Sequence, residues 1–136
     1  MANTKPLPRP DADTAPFWKG CSEGILRFQR CSSCGHIRWP ASYLCPECHA
    51  TESVWEPSTG HGKIYSFVVY HVAFDPGFKE DLPYVVALVD IEEGPRMLSN
   101  IRGCPPEEVE IGMPVELSWE DRNGYRLPVF HPRRAC

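Results

Sequence analysis

The stretch "CSSCGHIRWPASYLCPEC", residues 31–48, restricts the possible folds more than any other part of the chain, because it spaces four cysteines as C-x2-C-x10-C-x2-C. Each C-x-x-C pair can bend into a knuckle whose two sulfurs face one point, and two knuckles complete a tetrahedral shell. Gly35 permits the tight backbone after the second sulfur, and Pro46 fixes φ at the entry to the next knuckle. A shell of Cys31, Cys34, Cys45 and Cys48 suits Zn2+, with iron as second choice. The alternative is four reduced or paired thiols without metal. A shell of four sulfurs leaves no position open for water or substrate, so a metal here shapes the chain rather than reacting. His36 and His49 lie beside the knuckles and read as neighbours of the shell rather than as ligands. So short a loop cannot bury a core of its own, and structural zinc contributes on the order of 10 kcal/mol in such modules.

The surrounding chain has 136 residues, enough for one ordinary domain or two very small ones. Its 42% hydrophobic and 24% charged residues exclude a disordered chain. The apolar run over 65–74 is too short to span a membrane. "MANTKPLPRPDADTAPFW" lacks the apolar centre of a secretory signal, so the expected location is the cytoplasm, where thiolates are favoured over disulfides.

Local patterns divide the chain into three parts: a tail and helix over 1–24, a zinc ribbon over 25–58, and a barrel over 59–136. "DTAPFWKGCSEG" predicts a short helix with Asp13 or Thr14 as N-cap, Pro16 in the first turn and Gly24 past the end. Phe17, Trp18 and Cys21 form its apolar stripe, which either docks on the domain or offers a ligand or partner surface; Gly20 weakens the helix by ~1 kcal/mol. "ILRFQR" places Leu26, Phe28 and Arg30 on one face and runs into the first knuckle. "HIRWP" and "VWEPS" complete a strand–knuckle–strand ribbon.

Five strand-like segments follow. "KIYSFVVYHVAF" is β-branched, "YVVALVDI" is continuously apolar, and "RMLSNI" alternates. "MPVELSWED" and "RLPVF" flank a hairpin turn at Asn123-Gly124. Between the third and fourth, "PPEEVEIG" allows only a helical turn, and this order is that of an OB-fold barrel. The expected fold is therefore mainly β: a short N-terminal helix, a rubredoxin-like zinc ribbon and a five-stranded OB-fold barrel.

No phosphate loop, zinc-protease motif or nucleophile elbow is present. Cys104 reads as a loop thiol without a catalytic role, and His61, His71 and His131 join no acid–base set. The chain alone is not expected to be an enzyme. A ribbon with an OB-fold also raises single-stranded nucleic-acid binding, with Tyr65, Phe67 and Tyr70 as stacking platforms and Arg27, Arg30 and Arg38 as a basic patch. The charge opposes it. Of the net −4, residues 1–63 carry +1 and residues 64–136 carry −5, against the phosphate attraction such binding needs.

Taken in order, "PFWKGCSEGILRFQRCSSCG", "YLCPECHATESVWEPSTGHGKIYSFVVYH", "LPYVVALVDIEEGPRMLSNI" and "IGMPVELSWED…LPVFHP" resemble the zinc-ribbon plus OB-fold proteins of the DUF35 family, which associate with acyl-CoA enzymes. The resemblance covers residues 17–132 and keeps all four cysteines. It implies a non-catalytic auxiliary subunit of a thiolase-like enzyme performing acyl transfer or C–C cleavage on a CoA thioester, in a hetero-tetramer. A hot-dog-fold enoyl-CoA hydratase is the alternative partner. It also implies that CoA or an acyl-CoA is a ligand shared with the partner. Phe74, Phe78, Lys79 and Tyr84 in "AFDPGFKEDLPY" have the apolar walls and cation of a thioester-tail entrance, or else anchor a surface loop. Arg27 and Arg38 are the candidates for CoA phosphates. Trp18, Trp39 and Tyr43 are the candidate partner interface.

Overall fold

A computed structural model of the chain describes residues 5–134, so Cys136 and the first four residues lie outside it. The N-terminal helix α1, Ala15–Ser22, starts where the sequence predicts, with Pro16 in its first turn. Thr14 is the N-cap residue, but its side chain caps nothing and instead bonds Asp11, whose carboxylate accepts from the Thr14 and Asp13 amides. Gly20 sits mid-helix because nothing larger fits: a Cβ there would lie 2.8 Å from the Ile25 carbonyl oxygen.

The ribbon is a three-stranded antiparallel sheet, with β1 (Arg27–Cys31) between β2 (Ile37–Arg38) and β3 (Ser53–Pro57). Leu26 and Phe28 are buried as their alternation predicts, but Arg30 is exposed and meets Glu56 at 3.0 Å. On the other face Gln29 is buried. It donates to Ser53 Oγ at 2.9 Å and accepts from the Ser42 amide at 3.0 Å.

The remaining strands are β4 (His61–Tyr70), β5 (Tyr84–Ile91), β6 (Arg96–Ile101), β7 (Pro114–Arg122) and β8 (Tyr125–Pro132). They close in the order β4-β5-β6-β8-β7, the parallel β6–β8 contact sealing the barrel at Ile101 and Phe130. A 3-10 turn at Pro106–Glu108 separates the third and fourth barrel strands, as expected for an OB-fold. The β7–β8 hairpin turns at Asn123 and Gly124, both at positive φ, which Asn and Gly tolerate best. The β5 run is apolar from Tyr84 to Val89, yet only alternate residues are buried: Val85, Ala87, Val89 and, past Asp90, Ile91. Val86 and Leu88 therefore face outward.

Ribbon and barrel share one core. Phe17, Cys21, Leu26 and Phe28 join Ile64, Val85, Val89, Val115 and Phe130 in a single buried cluster. The linker is pinned as well: Glu93 accepts from Ser58 Oγ at 2.5 Å and Thr59 N at 3.1 Å, and Glu92 accepts from Thr59 Oγ1 at 2.7 Å. Cys104, read from the sequence as a loop thiol without a catalytic role, is disulfide-bonded. No helix among the described residues is long and apolar enough to cross a membrane.

Candidate metal centre and apolar groove

Two knuckles with matching hydrogen bonds bring the four cysteines together. In the first, the Gly35 amide donates to the Cys31 carbonyl and the Cys31 amide to the His36 carbonyl; in the second, His49 and Ala50 play the same parts for Cys45. Gly35 (φ 79°) and His49 (φ 64°) take the left-handed conformation at equivalent points, so His49 stands in a place best suited to glycine. Cys31 Sγ lies 3.5 Å from Cys48 Sγ, Cys34 Sγ lies 3.6 Å from Cys45 Sγ, and all four sulfurs fall within 4.8 Å of one another. Cys31 and Cys45 are buried while Cys34 and Cys48 face outward.

Backbone amides support the negative sulfurs. The amides of Cys34 and Ser33 bring the Cys31 thiol down to about 6, against the opposing effect of burial. The His36 amide favours the Cys34 thiolate, but burial and hydrogen bonds with Cys45, Cys48 and Cys31 push that thiol up to about 12. Without a cation, Cys31 and Cys45 are held below the ordinary thiol value and Cys34 and Cys48 above it, because the crowded sulfurs share their hydrogen bonds. A soft divalent ion relieves this crowding by accepting all four as thiolates. The donor set and its amide support fit a structural metal such as zinc.

The predicted interface residues divide between two places. Trp18 and Trp39, distant in sequence, line one apolar groove of about 180 Å³ with Met97, Leu98, Leu127 and Pro128. Tyr43 lies in the loop before the second knuckle, 68% exposed beside exposed Leu44.

The six residues considered for CoA separate into three groups. Phe74, Phe78 and Tyr84 come together: Phe74 packs edge-on against Tyr70 at 6.2 Å, Tyr70 against Tyr84 at 5.1 Å, and Phe78 against Tyr84 at 5.5 Å. Phe74 is 86% exposed, and Lys79 is exposed in the 3-10 turn Pro76–Asp81 that Asp75 caps through the Gly77 amide. Burial, then the nearby Tyr70 and Asp81, raises the Tyr84 hydroxyl above its ordinary value. Arg27 is elsewhere, in a groove with Lys19 and Trp55, and meets Glu23 at 3.3 Å. Arg38 is only 5% exposed and its guanidinium bonds the Ser42 carbonyl, so the expectation that it reaches a CoA phosphate at the surface does not match its burial.

Sequence reading missed an apolar strip on the outer barrel face. Val68 of β4 pairs with Val86 of β5, Leu88 pairs with Leu98 of β6, and Val68 and Leu98 are each 51% exposed. The signal was the unbroken apolar run in β5, since a one-face core needs only alternate residues. The expected stacking platforms are engaged internally. Tyr65 lies under Arg96 at 3.5 Å, and Tyr70 is held between Phe74 and Tyr84. His71 is exposed beyond β4; His61 and His131 lie 3.9 Å and 3.8 Å from Glu92 and Glu116.

Known proteins share this arrangement. Residues 18–54 match the family model described as "ChsH2, rubredoxin-like zinc ribbon domain", and residues 55–120 match "ChsH2, C-terminal OB-fold domain". A probable enoyl-CoA hydratase alpha subunit of Thermomonospora curvata is 37% identical over 94% of this chain, which spans only 40% of that protein's length. The benzoylsuccinyl-CoA thiolase subunit BbsA of Thauera aromatica is 28% identical over 94% of this chain and 83% of its own. The solved structure titled "Ltp2-ChsH2(DUF35) aldolase" contains a chain matching with a TM-score of 0.86 at 36% identity, covering 94% of this chain and 100% of that one. Matched in both its ribbon and its barrel, and along the whole of a solved DUF35 chain, this protein belongs to the DUF35 family in its zinc-ribbon plus OB-fold form.

Proposed function

We propose that this chain is a non-catalytic auxiliary subunit of a thiolase-like acyl-CoA enzyme, serving acyl transfer or C–C bond cleavage on a CoA thioester. The observation that carries this reading is the end-to-end match to the DUF35 chain of an aldolase complex. The match to a thiolase subunit over most of both chains supports it. The chain's own chemistry is consistent with a supporting role. The group of metal-ligating side chains among the described residues, Cys31, Cys34, Cys45 and Cys48, makes a full set of four ligands.

In this reading Zn2+ holds the knuckles through Cys31, Cys34, Cys45 and Cys48, and supplies shape rather than reaction chemistry. The partner supplies the nucleophile and bases. The loop with Phe74, Phe78, Lys79 and Tyr84 contributes apolar walls and a cation to the acyl-CoA path, and Arg27 with Lys19 offers charge for phosphate. The groove of Trp18 and Trp39 and the exposed Tyr43 are the interface candidates, joined by the Val68–Leu98 strip. The complex is a hetero-tetramer of two partner chains and two copies of this one, in the cytoplasm.

The hydratase alpha-subunit similarity favours a second reading, a hot-dog-fold enoyl-CoA hydratase partner. Co-expression with the thiolase-like and hydratase-like proteins of the same genome separates the two. The first reading expects co-purification with the thiolase-like protein and restoration of its activity, and no turnover of acyl-CoA by the pure chain. Capture of the hydratase alone would replace it with the second. No partner, together with tight salt-sensitive binding of a labelled oligonucleotide, would overturn both.

A further inference from the structure

Arg38 is the one buried arginine of the ribbon, and its environment does not account for its charge. It pairs across the sheet with Gln29 and sits on β2, between the two knuckles. Nη2 donates to the Ser42 carbonyl at 2.9 Å, while Nε and Nη1 are buried without a hydrogen-bond partner among the described residues. The ion pairs among those residues do not include it. A cation in that state is costly unless a negative charge nearby offsets the loss of hydration.

Glu56, one of the ribbon's carboxylates, is engaged by Arg30, and the cysteine centre is a further place where negative charge arises. Four thiolates around a divalent ion leave the centre doubly negative, and the knuckle amides offset only part of that. The connection to Arg38 is covalent and hydrogen-bonded: its guanidinium holds Ser42, Ser42 Oγ donates to the Leu44 carbonyl at 2.8 Å, and Cys45 follows. Gln29 fixes the same loop from the other side through the Ser42 amide. Arg30 also approaches the first knuckle, with Nη2 3.8 Å from where a Gly35 Cβ would stand. That arginine is half-exposed and already matched by Glu56 at 3.0 Å, so water and the carboxylate absorb its field.

We propose that Arg38 is the positioning residue and counter-charge of the metal centre. Its buried guanidinium stabilises the metal-loaded tetrathiolate and holds the loop that delivers Cys45. The dependence is reciprocal. The loaded centre makes Arg38 tolerable in the interior, and Arg38 raises the affinity for the ion. The proposal concerns this chain alone and stands or falls independently of the partner proposed above.

The test is zinc affinity of the purified full chain, measured by competition with a chromophoric chelator, together with the sulfur-to-metal charge-transfer band of the Co2+-loaded protein. Arg38→Met is expected to weaken zinc binding by about tenfold or more, the scale of residues that support metal ligands. It should also move the band to longer wavelength, because sulfur electrons freed from a nearby cation are easier to promote. Arg38→Lys should stay much closer to the native affinity, and Arg30→Met should leave both readouts unchanged. Native affinity and an unmoved band in Arg38→Met would overturn the proposal, as would equal losses in the Met and Lys variants. If Arg38→Met does not fold with zinc present, Arg38→Gln, which keeps a donor for Ser42 without the charge, is read by the same two measurements.

Discussion

Arg122 and Glu120 project from the same face of β7 and meet at 2.7 Å, and this pair ties the N-terminal segment to the aromatic loop. Arg122 also donates to the Pro6 carbonyl at 3.0 Å and lies 5.5 Å over the Phe78 ring, which Lys5 approaches at 5.4 Å. Lys5 in turn meets Asp81 at 2.5 Å, and Arg102 joins Glu120 at 2.8 Å. Cations from the N-terminal segment and from β7 thus flank the aromatic that anchors the 3-10 turn. The loop is held in place before any ligand arrives, which lowers the ordering cost of binding.

That network gives a pH dependence with a defined sign. Burial alone raises the Glu120 carboxyl, but hydrogen bonding from Arg122 and the charges of Arg102 and Lys5 hold it below its ordinary value. Folding therefore favours the charged form. Its stabilisation is complete above the unfolded-state value of about 4.3 and is lost as pH falls through the lower folded value. Glu120→Gln should cost about 0.5–1 kcal/mol at pH 7 because the pairs are partly solvent-screened. The gap to the native protein should close below pH ~4. Thermal melts of both proteins across that range check it; a gap that widens in acid would contradict the assignment.

Gly20→Ala separates helix propensity from packing. In an isolated helix the change would be worth about 1 kcal/mol of stabilisation. Here the new Cβ would meet the Ile25 backbone oxygen at 2.8 Å, and backbone cannot yield as a side chain can. The expected result is net destabilisation by about 1–3 kcal/mol, the usual cost of overpacking, read from denaturant midpoints.

The contrast shows what the sequence made legible. Cysteine spacing, glycine and asparagine at turns, and alternation along β1 and β6 are local signals, so the ribbon, the barrel order and the metal shell were all readable. Gly20 was legible only as a propensity defect, because the carbonyl that excludes a side chain comes from a later turn. Arg38 looked like surface charge, since burial depends on Gln29 and the loop folding over it. The single core was hidden for the same reason: Phe28 lies on a ribbon strand, but the buried cluster it joins extends into the barrel.

Metal removal should expose the difference between those two kinds of support. The knuckles depend on the sulfur centre, whereas β1 is anchored by Leu26 and Phe28 in the common core. Exhaustive chelation, or Cys45→Ser, should unfold the ribbon between residues 31 and 52 while β5 and β6 keep slow amide exchange. The loss is on the order of 10 kcal/mol of metal-binding free energy, which no aliphatic packing in that loop replaces. Hydrogen exchange resolved by residue checks this; a ribbon that stays protected without metal would show that the sulfur shell is dispensable. Phe28→Ala should instead destabilise ribbon and barrel together by about 3–5 kcal/mol.

Phe74 and Leu98 separate docking from folding. Phe74 is 86% exposed and Leu98 is 51% exposed, so little native packing is lost when either is shortened. Phe74→Ala should leave the stability of the chain within about 0.5 kcal/mol of native, and Leu98→Ser should cost about 1 kcal/mol for its half-buried side chain. If these side chains belong to the surface that meets the acyl-CoA enzyme, each variant should weaken that complex by about tenfold or more, equivalent to ~1.4 kcal/mol. Titration calorimetry against the co-purifying partner reads the binding, and thermal melts of the free chain read the stability. Native affinity in both variants would move the interface away from the outer barrel face and from the Leu98 side of the Trp18–Trp39 groove, leaving the Tyr43 loop to carry it.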